Sequence, residues 1–538
     1  MKQVQSAWRT VAECTRSRDR VELECLRRVV SGRRSWVLLV AGVLAIFQWQ
    51  QVFMRHRAWE GTLRSTYVLG ASGGILGWQQ DFLYFLYYLN LFPVATVTEE
   101  PLERSREAAE RFFQTRGETL VMDRFWTIRY GDLLKTYLYL PDAYRLGGPA
   151  ERPLMVLANA VPWVVALVAL YVAFWREGHA ILGAILVLLL GSNPFQVSEV
   201  FARSNVFGWV ITTGVLALAL NLGFLTGRRP SKVAIGLVPI ATGLLLATVR
   251  QIRTEPVLIG ASVVLAYLTA RPLGLATRAL LVALLAASFS LGSLAWGSYF
   301  DAKFREAYVK VKAVGGHPYD GPRHLHHFVW HALWCGLGDF DTRYGYAWDD
   351  TQGMAYALPI MRARGFEPVG HPRLERRPFD ALTLGVYWDR GRQYARTPFE
   401  VPEYIEVIRE KVVHDITHDP VWYLTILAKR VQRLVIETTP PTVARGDGRA
   451  ASLPRSVVWG LLPFGAAAVA WRARSHFLLK LLLFLTPLAS TALLVYSGQG
   501  TTYYSVTHLV AFALGVAWLL EALMGWRWPA VSRTPGAA

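Results

Sequence analysis

Residues 206–226 read VFGWVITTGVLALALNLGFLT, a run without a single charged side chain. An α-helix rises about 1.5 Å per residue, so about 20 apolar residues reach across the ~30 Å hydrocarbon core of a bilayer. Arg203 precedes the run and Arg228-Arg229 follows it, so charge returns where the span would leave the lipid. Comparable runs occupy Trp36–Met54, Pro153–Trp175, Ala279–Trp296, Phe477–Tyr496 and Ser505–Met524. Shorter ones occupy Ala180–Leu190, Val233–Val249, Val257–Ala270 and Val457–Trp471. The overall hydrophobic share of 53% would suit a soluble chain as well, so the distribution decides. It predicts an all-α polytopic membrane protein with about ten transmembrane helices.

The net charge of +18 suggests a nucleic-acid partner until its placement is considered. Nine Lys and Arg lie in residues 1–35, with further cations at Arg228, Arg229, Lys232, Arg271, Arg278, Arg472, Arg474, Lys480, Arg527 and Arg533. If each apolar run crosses once, all of these fall on one side. Cytoplasmic loops carry such an excess, so the basicity is a topology signal and no nucleic-acid partner is expected. Both termini are then cytoplasmic. The basic leader is long and no small-residue cleavage site follows the first run, which reads as a signal anchor. Cys14 and Cys25 fall in the cytoplasmic tail and Cys335 stands alone outside, so no intrachain disulfide is expected there.

Alternation then divides the chain. Residues 1–35 form a basic cytoplasmic tail and 36–54 the first helix. Residues 55–152 are a first extracytoplasmic segment, and 153–297 hold helices two to seven. Residues 298–455 are a second extracytoplasmic segment, 456–526 hold the last three helices, and 527–538 return to the cytoplasm. Within the first segment Phe82–Val94 (FLYFLYYLNLFPV) is apolar enough to span, but a span there would invert every later loop. Its tyrosines suit the headgroup zone, so an interfacial helix is expected. Glu100–Gln114 has amphipathic helical spacing. The second segment mixes Gly-, Pro- and Trp-rich loops over Gly315–Gly353 with helices at Pro402–Val413 and Pro420–Ile436. The last of these mixes apolar and basic residues and is expected to lie on the membrane surface.

The informative polar groups lie beside the spans. SNPFQVSEVFARSN (192–205) places Glu199 and Arg203 in one outer link. RQIRTEP (250–256) places Arg250, Arg253 and Glu255 in another. Ionisable groups near hydrocarbon are costly and usually pair or serve function. These five are therefore either loop ion pairs or the site of a lipid-linked phosphate, whose oxygens fit a guanidinium fork. Asp132 follows Gly131 and opens an apolar run, so it is either a helix N-cap or a general base; Asp81, before the FLYF run, has the same two readings. His327 and His331 are spaced to share one helix face, and Asp339-Phe-Asp341 has the D-x-D form. Either could contact an acceptor or sugar, and D-x-D admits a divalent cation, Mg or Mn. Interfacial packing is the other reading of the histidines. No HExxH glutamate accompanies them, and no cofactor or metal is required. Tyr503, Tyr504 and His508 sit at the outer mouth of the last helix, as interfacial anchors or as a stacking surface for a sugar ring.

The plan as a whole resembles the GT-C superfamily of polytopic glycosyltransferases. The resemblance rests on a cytoplasmic N-terminus, a charge-rich outer segment after the first helix and the link SEVFARSNVFGWVITTGVLAL (198–218). It rests further on IRTEP (252–256), similar to an Arg-Pro-Glu turn in many members, on the second outer segment and on the Tyr-rich last mouth. It implies a bacterial inner (plasma) membrane enzyme that takes a sugar from a polyprenyl-phosphate donor. The acceptor, a glycan, lipid or protein, lies outside the cytoplasm, and transfer inverts the anomeric centre with help from a carboxylate. The family's catalytic acid in the first outer segment maps onto Asp132, with Asp81 second. The Trp-Trp-Asp signature of oligosaccharyltransferases is absent. An O-antigen-type polymerase or ligase is the alternative enzyme, although such proteins lack a long outer segment after the first helix. A transporter or flippase for lipid-linked sugars is the non-enzymatic one, but neither a repeat nor midplane charge supports it.

Overall fold

A computed structural model describes residues 155–193, 206–226, 230–251, 255–270, 272–313, 329–348, 350–365, 385–389, 392–396, 402–437, 440–444 and 450–472, with isolated positions in 107–111, 477–484 and 512–516. Among the described residues from 155 on, the first six helices are α1 (Met155–Arg176), α2 (Ala180–Ser192), α3 (Val206–Thr226), α4 (Lys232–Arg250), α5 (Pro256–Leu268) and α6 (Leu275–Ala313). They coincide closely with the apolar runs at 153–296. Their starts follow local chemistry. The Ser231 hydroxyl accepts the Ala234 N–H at 3.1 Å, and Pro256 opens α5 where no N–H is needed. Gly178, at φ 86°, makes the turn from α1 to α2 in a region a side chain would strain.

Three of these helices are long and apolar enough to cross a membrane: Trp209–Thr226, Lys232–Arg250 and Leu275–Lys310. Val161–Arg176, Ala180–Ser192 and Pro256–Leu268 are apolar but shorter. The described residues are thus predominantly helical and include helices of membrane-spanning length. The expected runs at 36–54, and most of 477–524, lie outside the described residues, as do Phe82–Val94 and all but three residues of Glu100–Gln114.

The bundle is apolar inside and out. Trp163, Leu170, Phe174, Leu186, Leu218, Leu222 and Val263 fill its core, while Val161, Leu237, Leu291 and Leu294 are exposed on its flanks. A helix apolar all round is either enclosed by protein or surrounded by lipid. One polar cluster inside is paired across helices. The Asn221 amide donates to Thr242 Oγ1 at 3.1 Å and accepts from the Tyr267 hydroxyl at 2.7 Å, joining α3, α4 and α5. α4 and α6 approach through small residues: a Cβ on Gly243 would collide with Ser288 and the Leu285 carbonyl, and one on Gly292 would meet Ala247. Close backbone approach of this kind is how helices pack where no hydrophobic force drives them together.

The contacts fix which helix ends lie together. At one end, Thr226 of α3 donates to Glu177 after α1 at 2.6 Å. There too Arg278 donates to the Leu268 and Leu273 carbonyls, and Lys480 to the Thr269 carbonyl. Cations at the last carbonyls of α5 satisfy acceptors with no intrahelical donor. At the opposite end, Trp296 donates to Thr248 at 3.1 Å and Asn193 reaches the Thr442 carbonyl at 3.4 Å. Successive helices therefore alternate in direction, and Arg278 and Lys480 share one end.

α6 continues past the boundary at 297/298, up to Ala313. Its aromatic cluster of Trp296, Tyr299 and Phe300 is followed by Asp301, Lys303, Arg305 and Glu306. From Leu275 to Trp296 the helix rises about 32 Å, one hydrocarbon thickness, before its charged half begins. Beyond it come α7 (Val329–Leu337), α8 (Asp350–Ala363), the hairpin of β1 (Gly385–Asp389) and β2 (Arg392–Arg396), α9 (Pro402–His418) and α10 (Pro420–Ile436). A second hairpin, β3 (Thr442–Ala444) with β4 (Ala450–Ser452), leads into α11 (Val458–Arg472). α7 to α10 enclose their own core of Trp334, Leu337, Tyr346, Met361, Tyr404, Ile408, Trp422 and Ile426.

Candidate functional site

The link from α4 to α5 places two of the expected groups at the end of the bundle opposite Arg278. Arg250 closes α4, and its guanidinium lies 5.4 Å from the centre of the Phe289 ring on α6, within cation–π range. Gln251 binds back to the Ala247 carbonyl through its side chain at 3.1 Å. Glu255 precedes Pro256, and its carbonyl accepts the Leu258 N–H at 2.8 Å. Its side chain is 5% exposed and does not cap α5. A carboxylate so enclosed carries a desolvation cost that only cations or donors offset. The start of α5 favours negative charge through its helix dipole. Thr248, Trp296, Asn193 and Thr442 occupy the same end of the bundle. Arg253, Arg203 and Glu199 lie outside the described residues, as do Asp81, Asp132, His327, Tyr503, Tyr504 and His508.

The second cluster lies in the α7–α10 unit. His331 is 4% exposed in α7, with Nδ1 2.7 Å from the Tyr404 hydroxyl and Nε2 3.8 Å from Cys335 Sγ. The imidazole is thus a packed core group tying α7 to α9. Asp339 and Asp341 follow in the turn after α7. Asp341 accepts the Arg343 backbone N–H at 2.7 Å and the Trp422 indole N–H at 3.2 Å. Asp339 accepts from Arg433 at 3.4 Å, and its charge opposes the fall that burial imposes on the Arg430 guanidinium. The two D-x-D carboxylates therefore point to different nitrogen donors. Among the described residues, no three His, Cys, Asp or Glu are placed to hold a metal ion.

No family model, curated protein or solved structure matches the chain. What either cluster can do follows from its own groups.

The structure also brings forward residues that motif reading passed over. Asp415 is buried and accepts from Tyr346 at 2.9 Å, Lys411 at 2.9 Å and His414 at 3.1 Å. Burial alone would raise its carboxyl, but these three donors outweigh that and hold it below the ordinary carboxylate range. Asp419 caps α10 through the Trp422 N–H at 2.9 Å and takes further bonds from Tyr344 and Arg343. Asp419-Pro420 is a legible helix-start signal, and Lys411/Asp415 a legible i,i+4 pair. The reach to Tyr346 and Tyr344 has no local signal. Together these bonds make the cluster a rigid scaffold. The α4–α5 end holds a guanidinium over an aromatic ring, which can pair with an anion, and an enclosed carboxylate, which calls for cations or donors.

Proposed function

We propose that this protein is a membrane glycosyltransferase that moves a sugar from a polyprenyl-phosphate donor to an acceptor on the extracytoplasmic side. The observation that carries the reading is the gathering of Arg250 and the enclosed Glu255 at one end of an apolar bundle, the end that also meets the 329–452 segment. A lipid-borne substrate keeps its chain in hydrocarbon and its phosphate at such an edge. In the reaction the acceptor oxygen bonds to the anomeric carbon as the bond from that carbon to the phosphate oxygen breaks. The phosphate leaves with the electron pair, and a carboxylate, assigned to Asp132, takes the acceptor's proton. Arginines of the 250–255 link stabilise the charge growing on the phosphate. The full chain in nanodiscs, supplied with a polyprenyl-phosphate sugar, tests this. Arg250→Ala or Arg253→Ala weakens donor binding by about 2–5 kcal/mol if the phosphate pairs there in a desolvated site. Asp132→Asn keeps donor binding and lowers turnover by roughly 10²–10⁴. Unchanged donor binding in both arginine variants, or normal turnover in Asp132→Asn, overturns the assignment.

A further inference from the structure

α10 buries an arginine and exposes a stripe without charge. Its buried side carries Trp422, Ile426, Arg430 and Leu434, and Arg430 is 0% exposed beside the Asp339 charge. Its open side carries Val421, Leu424, Thr425, Ala428, Val431 and Gln432, a stripe at helical spacing with no charge in it. Val421 is 70% and Leu424 62% exposed. Trp422, Ile426 and Leu434 are buried as water would demand, but the buried arginine and the exposed valines and leucine are each unfavourable there. The stripe leads to Val435, whose backbone lies so near Gly460 of α11 that a Cβ there would collide with it. Past that crossing, α11 exposes Leu461, Phe464 and Val469. The uncovered stripe of α10 therefore ends at its crossing with an apolar helix that itself exposes apolar side chains.

We infer that α10 lies on the outer leaflet of the bilayer with Val421, Leu424, Ala428 and Val431 in the headgroup–acyl boundary, and so seats the α7–α10 unit on the membrane. The inference rests on the proposed membrane topology and names the surface that makes contact. Lipid is the occupant because the stripe runs without a charged residue up to the crossing with α11, a helix that exposes apolar side chains, and because Lys429 borders it where lipid phosphates would lie. An apolar face of this kind enters the boundary by about 5–10 Å. The seat also fixes the Asp339–Asp341 turn, bound to α10 through Arg433 and Trp422, close above the lipid.

The test uses the full chain in nanodiscs, with Cys14→Ser, Cys25→Ser and Cys335→Ala as background. Nitroxide labels are placed singly at Leu424→Cys and Val431→Cys, at Leu291→Cys on the α6 flank, and at Glu406→Cys on the exposed side of α9. Collision with oxygen and with a water-soluble nickel chelate is read by power-saturation EPR. The expected result is an oxygen-to-chelate ratio at 424 and 431 several-fold above that at 406 and close to that at 291. Chelate contact at 424 and 431 equal to that at 406, with 291 still in lipid, overturns the seat and leaves the membrane reading standing. Labels at 424 and 431 shielded from both reagents mean that protein covers the face, which also overturns the seat. In that case dipolar broadening lost on dilution with unlabelled chain marks a second copy. A water-like ratio at 291 overturns the membrane reading itself.

Discussion

At the scale of single residues, the ionisable groups divide by what surrounds them. Asp415 is enclosed by Tyr346, Lys411 and His414, and its carboxyl is held below the ordinary value. A group with a lowered folded pKa gives stability that is present above the unfolded pKa, near 3.8, and disappears as pH falls through the folded one. Hydrogen exchange of the 402–437 peptides in the full chain, taken relative to the intrinsic rate at each pH, should therefore change little from pH 7 to 5 and quicken below about pH 4. Asp415→Asn should quicken it at neutral pH by a loss of about 1–3 kcal/mol and flatten the acid response. An unchanged exchange profile in the Asn variant would show that the three donors find other acceptors. His331 gives the contrasting lesson. Its spacing to His327 leaves packing and a binding role both open, and in the fold its ring lies 2.7 Å from the hydroxyl of Tyr404, 73 positions away in sequence. No local pattern contains such a contact.

At the scale of elements, the packing of α4 on α6 depends on the absence of side chains. Gly243 and Gly292 allow the two backbones to meet, and a Cβ at Gly243 has no room beside Ser288 and the Leu285 carbonyl. Gly243→Leu should cost about 1–3 kcal/mol or more through overpacking, seen as a lower unfolding midpoint of the detergent-solubilised chain. Gly297→Ala is the matched control: nothing lies within 4 Å of its Cβ position, and alanine favours helix, so the midpoint should hold or rise slightly. Equal effects at both positions would mean that helix propensity, not the close approach, governs. Hydropathy located α4 and α6 well, but not which glycine serves a contact. That depends on rotation about the helix axis, which neighbours set.

At the scale of the whole molecule, the alternation of helix ends makes a topological prediction. In the cysteine-free background, Glu406→Cys should react with an impermeant thiol reagent added to intact cells, and Lys232→Cys only after the membrane is opened. The reverse pattern would mean that an additional span, such as Phe82–Val94, precedes the bundle and inverts it. Arg278 and Lys480 share one end of the bundle, and Asn193 meets Thr442 at the other, so the labelling reads which end faces out.

The sequence by itself determined that the chain builds long apolar helices, where α1 to α5 and α11 begin and end, and which links gather cations. Those properties follow from burying a continuous apolar run and capping its ends, which are local matters. Only the structure showed that α6 runs on to Ala313 as a single helix, because hydropathy marks where an apolar run ends and not where a helix does. Only it turned Arg430 inward and Leu424 outward on α10. The mixed basic and apolar pattern of that helix suits either face, and Asp339, Trp422 and the α9 core selected one. It likewise bound Asp339 and Asp341 to Arg433 and Trp422, because residues 81 and 94 positions apart meet only when α10 folds back over the turn after α7.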